Sequence, residues 1–215
     1  MQRREFLAGL GAAAADAVYQ SSPTHAQAIG GVAHRTVVAN GIHLHLAEQG
    51  EGPLVVLCHG FPESWYSWRH QLPVLSAAGF HAVAVDMRGY GQSDRPEAID
   101  QYTLLHLVGD MVGLLDVLGI EQAVIAGHDW GAPVAWHAAL LRPDRFRAVI
   151  GLSVPYRPRS PVVPTSVMPR REDAVFYQLY FQEPGVAEAE LDRDVPNSSR
   201  SLQGLGADHA VIRSD

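Results

Sequence analysis

The sequence contains no lysine: all 16 of its basic residues are arginine. Chemistry that needs a side-chain amine is thereby excluded, including Schiff-base formation, pyridoxal phosphate anchoring and the P-loop. Cysteine is nearly absent as well. Cys58 stands alone among 215 residues, so no internal disulfide can form, and its place in an apolar run marks it as core filler rather than nucleophile. Positive charge is the minority, 16 basic against 23 acidic residues for a net −7, which argues against nucleic acid as a partner. Mean hydropathy near zero excludes a polytopic membrane protein. There are no internal repeats. No metal set is visible either: His43 and His45 share one strand face without companions and are expected at the surface. What is present, 47% hydrophobic and 18% charged residues, suits one globular domain with a sizeable core.

The N-terminus reads as an export signal over residues 1–28. Arg3-Arg4-Glu5-Phe6-Leu7 has the twin-arginine pattern, the apolar run Ala8 to Ala15 follows, and Ala26-Gln27-Ala28 supplies a cleavage site. Asp16 interrupts the apolar stretch and Tyr19 to His25 is long and polar, so a plain N-terminal extension is the alternative. The first reading places the protein in the periplasm or outside the cell by the twin-arginine route, with no membrane span after signal removal; the second leaves it cytoplasmic.

From His34 strand and helix signals alternate. His34–Val38 and Ile42–Ala47 flank Asn40-Gly41, a two-residue hairpin turn. Leu54–Cys58 is a continuous apolar run of the kind that forms a buried parallel strand. Trp68–Leu75 is helical in pattern and Ala82–Val85 is a second buried strand. Leu104–Leu118 carries apolar residues at helical spacing and stops at Gly119. Val124–Ala126, Ala132–Leu141 and Phe146–Leu152 read as strand, helix and strand. The alternation implies an α/β fold, a mostly parallel sheet with helices on both faces. Residues 29–153 form this core. Residues 154–171 are too rich in proline for regular structure. Ala174–Phe181 then looks helical, Val186–Asp194 is a weaker acidic helix, and no periodicity follows Pro196.

One pentapeptide carries the chemistry. Gly127-His128-Asp129-Trp130-Gly131 lies between a strand and a helix, with glycine on either side of one reactive residue, which is the nucleophile-elbow arrangement. Its central residue is aspartate instead of serine. A carboxylate is a weak nucleophile towards acyl carbon but a competent one towards strained or activated sp³ carbon, where it forms an alkyl ester. Water driven onto that ester generates an oxyanion that backbone N–H groups can stabilise. Asp129 therefore predicts a substrate with an electrophilic carbon and a leaving oxygen or halogen. His59-Gly60-Phe61-Pro62 follows the buried strand Leu54–Cys58, so the N–H groups of Phe61 and Trp130 are the candidate oxyanion hole, with His59 a structural brace. Asp86-Met87-Arg88-Gly89-Tyr90-Gly91 reads as an architectural loop.

Taken together, His59-Gly60-Phe61-Pro62-Glu63-Ser64-Trp65-Tyr66-Ser67-Trp68, Asp86-x-Arg88-Gly89-Tyr90-Gly91 and Gly127-His128-Asp129-Trp130-Gly131 closely resemble the soluble epoxide hydrolases of the α/β-hydrolase fold, from about residue 34 to about 195. The resemblance implies that Asp129 opens the epoxide, that a histidine oriented by a carboxylate activates water, and that two cap tyrosines donate hydrogen bonds to the epoxide oxygen. Phe176-Tyr177-Gln178-Leu179-Tyr180-Phe181-Gln182-Glu183-Pro184-Gly185 looks like the family's first cap helix, with Tyr177 as the first of those tyrosines; Trp130 and Tyr177 would then also contact substrate. The implied substrate is a small apolar epoxide, and no cofactor or metal is called for. The pattern departs from the family after Asp129. His137 lies inside the helix after the elbow and His209 adjoins Asp208 in the aperiodic tail, so neither fits the catalytic base; the acid, the second tyrosine and the last core strands have no counterpart. The chain is therefore expected to be a truncated member, with a partial cap over 154–215 and an unpaired sheet edge. A haloalkane dehalogenase-like hydrolase is the alternative enzyme, disfavoured by Tyr177 and by Phe61 where those enzymes generally have Asn; a non-catalytic degenerate fragment is the other.

Overall fold

A computed structural model describes residues 31–170, 174–192 and 211–213. The twin-arginine segment, Asp208 and His209 lie outside the described residues. Strands β1 (Ala33–Ala39) and β2 (Ile42–Gln49) pair antiparallel around Asn40-Gly41. Both turn residues have positive φ, 50° and 79°, which is why asparagine and glycine occupy a turn whose twist must match the strands. β2 continues antiparallel onto β4 (His81–Val85), after which β3 (Leu54–Cys58), β5 (Ala123–His128) and β6 (Phe146–Leu152) run parallel, giving the order β1-β2-β4-β3-β5-β6.

Helices cover both faces, because the central strands are apolar on both sides. All of β3 is buried, and its pleat divides it. Leu54, Val56 and Cys58 pack with Leu114 and Leu115 of α2 (Leu104–Leu118) and with Val134 and Ala138 of α3 (Gly131–Leu141). Val55 and Leu57 face the other way, onto Trp68 and Leu72 of α1 (Gln71–Ala77). Cys58 lies wholly inside the first cluster, its thiol directed at Met111 Sδ at 3.5 Å and pushed up to about 12 by desolvation. Thr103 caps α2 by accepting from the His106 N–H, and Gly119 at φ 66° ends it.

The loop after β4 is locked by charge. Arg88 and Asp110 are both buried, and the guanidinium donates to Asp110 from Nε at 2.7 Å and from Nη2 at 2.5 Å. Asn40 Nδ2 adds a third donor to the same carboxylate at 2.9 Å. One fork thus fastens the Arg88 loop and the β-hairpin to α2. Among the described residues β6 is an edge strand, paired with β5, and leaves Ile150 and Leu152 exposed.

Four local expectations are corrected. Trp68–Leu75 is not one helix: Trp65–Trp68 form a 3₁₀ turn capped by Ser64, and α1 starts at Gln71. Pro73 is tolerated in the first helical turn, where its missing N–H costs nothing, but not further in. Ala174–Phe181 is not one helix either. Ala174–Phe176 form β7, paired antiparallel with β8 (Val211–Arg213), and a helical turn, α5 (Tyr177–Tyr180), follows. The proline-rich stretch holds one helical turn, α4 (Pro164–Val167), with Pro164 at its start. The acidic helix α6 spans Val186–Leu191; residues 193 and 194 lie outside the described residues. Finally, His45 is buried, not at the surface: its Nδ1 meets Asp86 Oδ2 at 2.8 Å, and that carboxylate also accepts from Trp65 and Gln92 N–H groups. Burial raises the Asp86 carboxyl, but these donors outweigh it and hold it below the usual range. His43, its strand neighbour, is exposed and bonds Asp94. No helix among the described residues is long and apolar enough to cross a membrane.

Candidate active site

Asp129 sits where β5 turns into α3, at φ 50°, a left-handed conformation that costs energy for any residue with a Cβ. The flanking glycines are required by space. A Cβ on Gly127 would lie 2.0 Å from the Gly131 carbonyl oxygen, and one on Gly131 would lie 2.2 Å from that of Cys58. The turn is pinned by its backbone: Ala132 N–H donates to Asp129 O at 3.0 Å, while the Asp129 N–H reaches Ser153 Oγ at 3.2 Å and Leu152 O at 3.4 Å.

The loop after β3 approaches from the neighbouring strand end. Phe61 N–H donates to Asp129 Oδ1 at 3.0 Å, so this first candidate oxyanion donor already points at the candidate nucleophile. Trp130 N–H, at the start of α3, has no hydrogen-bond partner among the described residues. The loop is braced beneath by His59, which is fully buried: its Nδ1 lies 2.7 Å from Gly60 O, and its Nε2 accepts from Met87 N–H at 3.1 Å. That pairing makes Nδ1 the protonated nitrogen. Glu63 Oε2 accepts from Gly60 N–H at 3.1 Å and lies 3.4 Å from His128 Nδ1.

The brace carries a pH signature. Burial lowers the His59 pKa, opposed by its bond to Gly60 O and by the charges of Asp86 and Glu63. An unfolded histidine titrates near about 6.5. Below that pH the unfolded chain binds a proton that the native chain refuses, so stability is full above it and declines as pH falls towards the folded value. His34, also lowered chiefly by burial, acts in the same direction. The unfolding free energy from urea titration of the native sequence should therefore drop between pH 7.5 and 5.5, by up to about 1.4 kcal/mol per pH unit from His59. His59→Asn should flatten that slope; identical slopes would refute the assignment.

Above the elbow lies a cleft of about 400 Å³, lined among others by Phe61, Tyr90, Trp130, Met168, Tyr177 and Phe181. Half of its lining residues are aromatic, and Pro164 and Met168 add to the apolar wall, suited to an apolar guest. The Tyr177 ring lies parallel to Phe61, centroids 6.1 Å apart, and its Oη accepts from Trp130 Nε1 at 3.2 Å and from Gln178 Nε2 at 3.0 Å. Tyr90 packs edge-on to His59 at 4.9 Å, and its phenol is pushed up to about 12 by burial and then by the Asp129 charge. The structure thus brings Phe61, Trp130 and Tyr177 to one cleft, with Asp129 tied to its wall through the Phe61 N–H.

Three participants escaped the sequence reading. Tyr90 was placed in an architectural loop, yet it lines the cleft; Gln178 adjoins Tyr177 within the cap motif; and Ser153 lies one residue beyond β6. Only Gln178 had a visible signal, its adjacency to Tyr177. No acid–histidine pair faces Asp129 among the described residues. His137 Nδ1 is bonded to Pro133 O at 2.7 Å, one turn back in α3, and no set of three His, Cys, Asp or Glu side chains among the described residues could hold a metal ion.

Comparisons with known proteins agree with this fold. The alpha/beta hydrolase fold family model matches residues 53–190. Epoxide hydrolase A of Mycobacterium tuberculosis is 52% identical over 179 residues, covering 82% of this chain and 56% of that protein. Bifunctional epoxide hydrolase 2 of Sus scrofa is 49% identical over 166 residues, 77% of this chain and 30% of that protein. Among solved structures, epoxide hydrolase A from Mycobacterium thermoresistibile superposes with a TM-score of 0.78 at 52% identity, over 86% of this chain and 61% of that one. An epoxide hydrolase from Vigna radiata gives 0.75 at 48% identity, over 82% and 56%. The chain spans between 30% and 56% of the two curated relatives named here. With its mostly parallel sheet, its tight turn between β5 and α3 and a family match across most of its length, the chain belongs to the α/β-hydrolase fold family.

Proposed function

We propose that this chain carries the nucleophile half of an epoxide hydrolase. A carboxylate oxygen of Asp129 bonds to an epoxide carbon, the carbon–oxygen bond of the ring breaks, and its electron pair goes to the oxygen, which takes a hydrogen bond and then a proton from Tyr177. Water adding to the ester carbonyl would complete diol formation, with Phe61 and Trp130 N–H groups holding the oxyanion. The observation that carries this reading is that Phe61, whose N–H is held by Asp129, stacks on the Tyr177 ring in the wall of one cleft. The names of the relatives support the same substrate class. A haloalkane substrate is less well served. Phe61 offers no side-chain donor to a halide, and the Trp130 indole N–H is already given to Tyr177. The cap begins at residue 154 in this reading, and the Arg3-Arg4 segment would direct export by the twin-arginine route.

The hydrolytic step needs a base. His59 has both ring nitrogens engaged, His128 faces Glu63, and His137 faces its own helix. None of these three is free to serve as that base, and the alkyl ester is expected to accumulate. Incubation with styrene oxide should add one mass equivalent, mapped to the Asp129 peptide, without steady-state diol. Tyr177→Phe should slow that addition roughly 100-fold, the scale of lost general-acid assistance. An Asp129 peptide that stays unmodified after prolonged exposure, or halide release from a chloroalkane, would overturn the reading.

A further inference from the structure

The Tyr177 oxygen is surrounded by donors. Trp130 Nε1 and Gln178 Nε2 both give hydrogen bonds to it, at 3.2 and 3.0 Å. A phenol oxygen offers lone pairs to accept with and a single O–H to donate. With two N–H groups on its lone pairs, Tyr177 has no accepting capacity left, and its O–H is left to point at whatever enters the cleft. Each bound N–H also polarises the O–H, so that the hydrogen bond Tyr177 gives is stronger than that of a lone phenol. The Gln178 side chain is itself half-buried at the cleft wall, and its backbone carbonyl is held by Gln182 Nε2 at 2.8 Å one turn on.

We infer that Gln178 is a positioning residue: acting with the Trp130 indole, its amide commits the Tyr177 hydroxyl to donation into the cleft. The assignment rests on the epoxide-opening reading above and names a part of that machinery outside the nucleophile, the oxyanion donors and the tyrosine. It also says why the neighbouring side chain is an amide. An acceptor-only group of the same shape would capture the phenol proton and turn it away from substrate.

Glutamate is that group, because an ionised carboxylate accepts and cannot donate. The experiment follows adduct formation on Asp129 by mass spectrometry, with styrene oxide as the probe, in the native chain and in Gln178→Glu, Gln178→Leu, Tyr177→Phe and the Tyr177→Phe/Gln178→Glu double variant, each checked for native circular dichroism. Gln178→Glu should react roughly tenfold more slowly at pH 8, the scale of one misdirected hydrogen bond, and recover as pH falls and the glutamate gains a proton it can donate. Gln178→Leu should be slowed less and show no such recovery. In the Tyr177→Phe background the glutamate should add no further pH dependence, since its effect runs through the phenol. If Gln178→Glu matches the native rate and pH profile, or keeps its pH dependence without Tyr177, the assignment is overturned while the alkylation reading survives. Absence of any adduct on the native chain overturns both.

Discussion

Asp129→Asn should form no detectable adduct with styrene oxide, a loss of about 10⁴-fold or more, the scale seen when a covalent nucleophile is removed. The substitution is the most discriminating one available because it alters the chemistry and spares the fold. Asparagine tolerates the left-handed region better than most residues with a Cβ, and Asp129 sits there at φ 50°. Its amide oxygen can still accept the Phe61 N–H that Asp129 Oδ1 takes at 3.0 Å. What it lacks is the negative charge that attacks carbon. Alanine would be a poorer control, since it would lose the Phe61 contact and keep the strain. If Asp129→Asn acquires the same mass increment at the native rate, the covalent bond forms elsewhere and the mechanism proposed here is wrong.

Asp110→Ala should cost about 3–5 kcal/mol of stability, the range for removing one partner of a buried ion pair. Arg88 would then be a guanidinium, 2% exposed, with no carboxylate to answer it, and Asn40 Nδ2 would lose its acceptor at 2.9 Å. The guanidinium will not shed its proton to escape, because arginine is too basic to be deprotonated in a protein. The damage should spread to the β1–β2 turn and the Arg88 loop together, because both hang from that carboxylate. Urea unfolding checks the expectation, and a midpoint unchanged from the native chain would show that the pair contributes nothing. Asp110→Asn, which keeps an acceptor but loses the charge, should fall between the two.

The parts of this molecule that could be read in advance are those whose pattern is local. β3 and α2 have the bounds anticipated for them because a continuous apolar run and a regular apolar stripe mark them out over their whole length. Asn40-Gly41 marked the hairpin for the same reason, and the spacing of Gly127 and Gly131 marked the elbow. The misreadings were non-local. β7 exists through pairing with β8, and Phe176 finds Val211 as its partner across the intervening chain; no periodicity in either segment announces that. His45 was placed at the surface because it and His43 share one strand face without visible companions, yet the Asp86 that draws it inward comes from the end of another strand. At the site, the elbow and the loop after β3 picked out Asp129, Phe61 and Trp130 as candidates, and the family resemblance added Tyr177. They could not show that the indole and an amide converge on one phenol oxygen, since that depends on how the cap segment lies over the elbow.

Cys58 ends the strand that delivers the His59 loop, and its thiol is sealed in the sheet's interior, far too weakly acidic to react near neutrality. It can gain its ordinary reactivity only when β3 leaves its neighbours, which makes it a built-in gauge of global opening. A maleimide pulse should count open molecules and spare closed ones, so the integrity of each variant can be read in the same tube, and by the same mass measurement, as its chemistry.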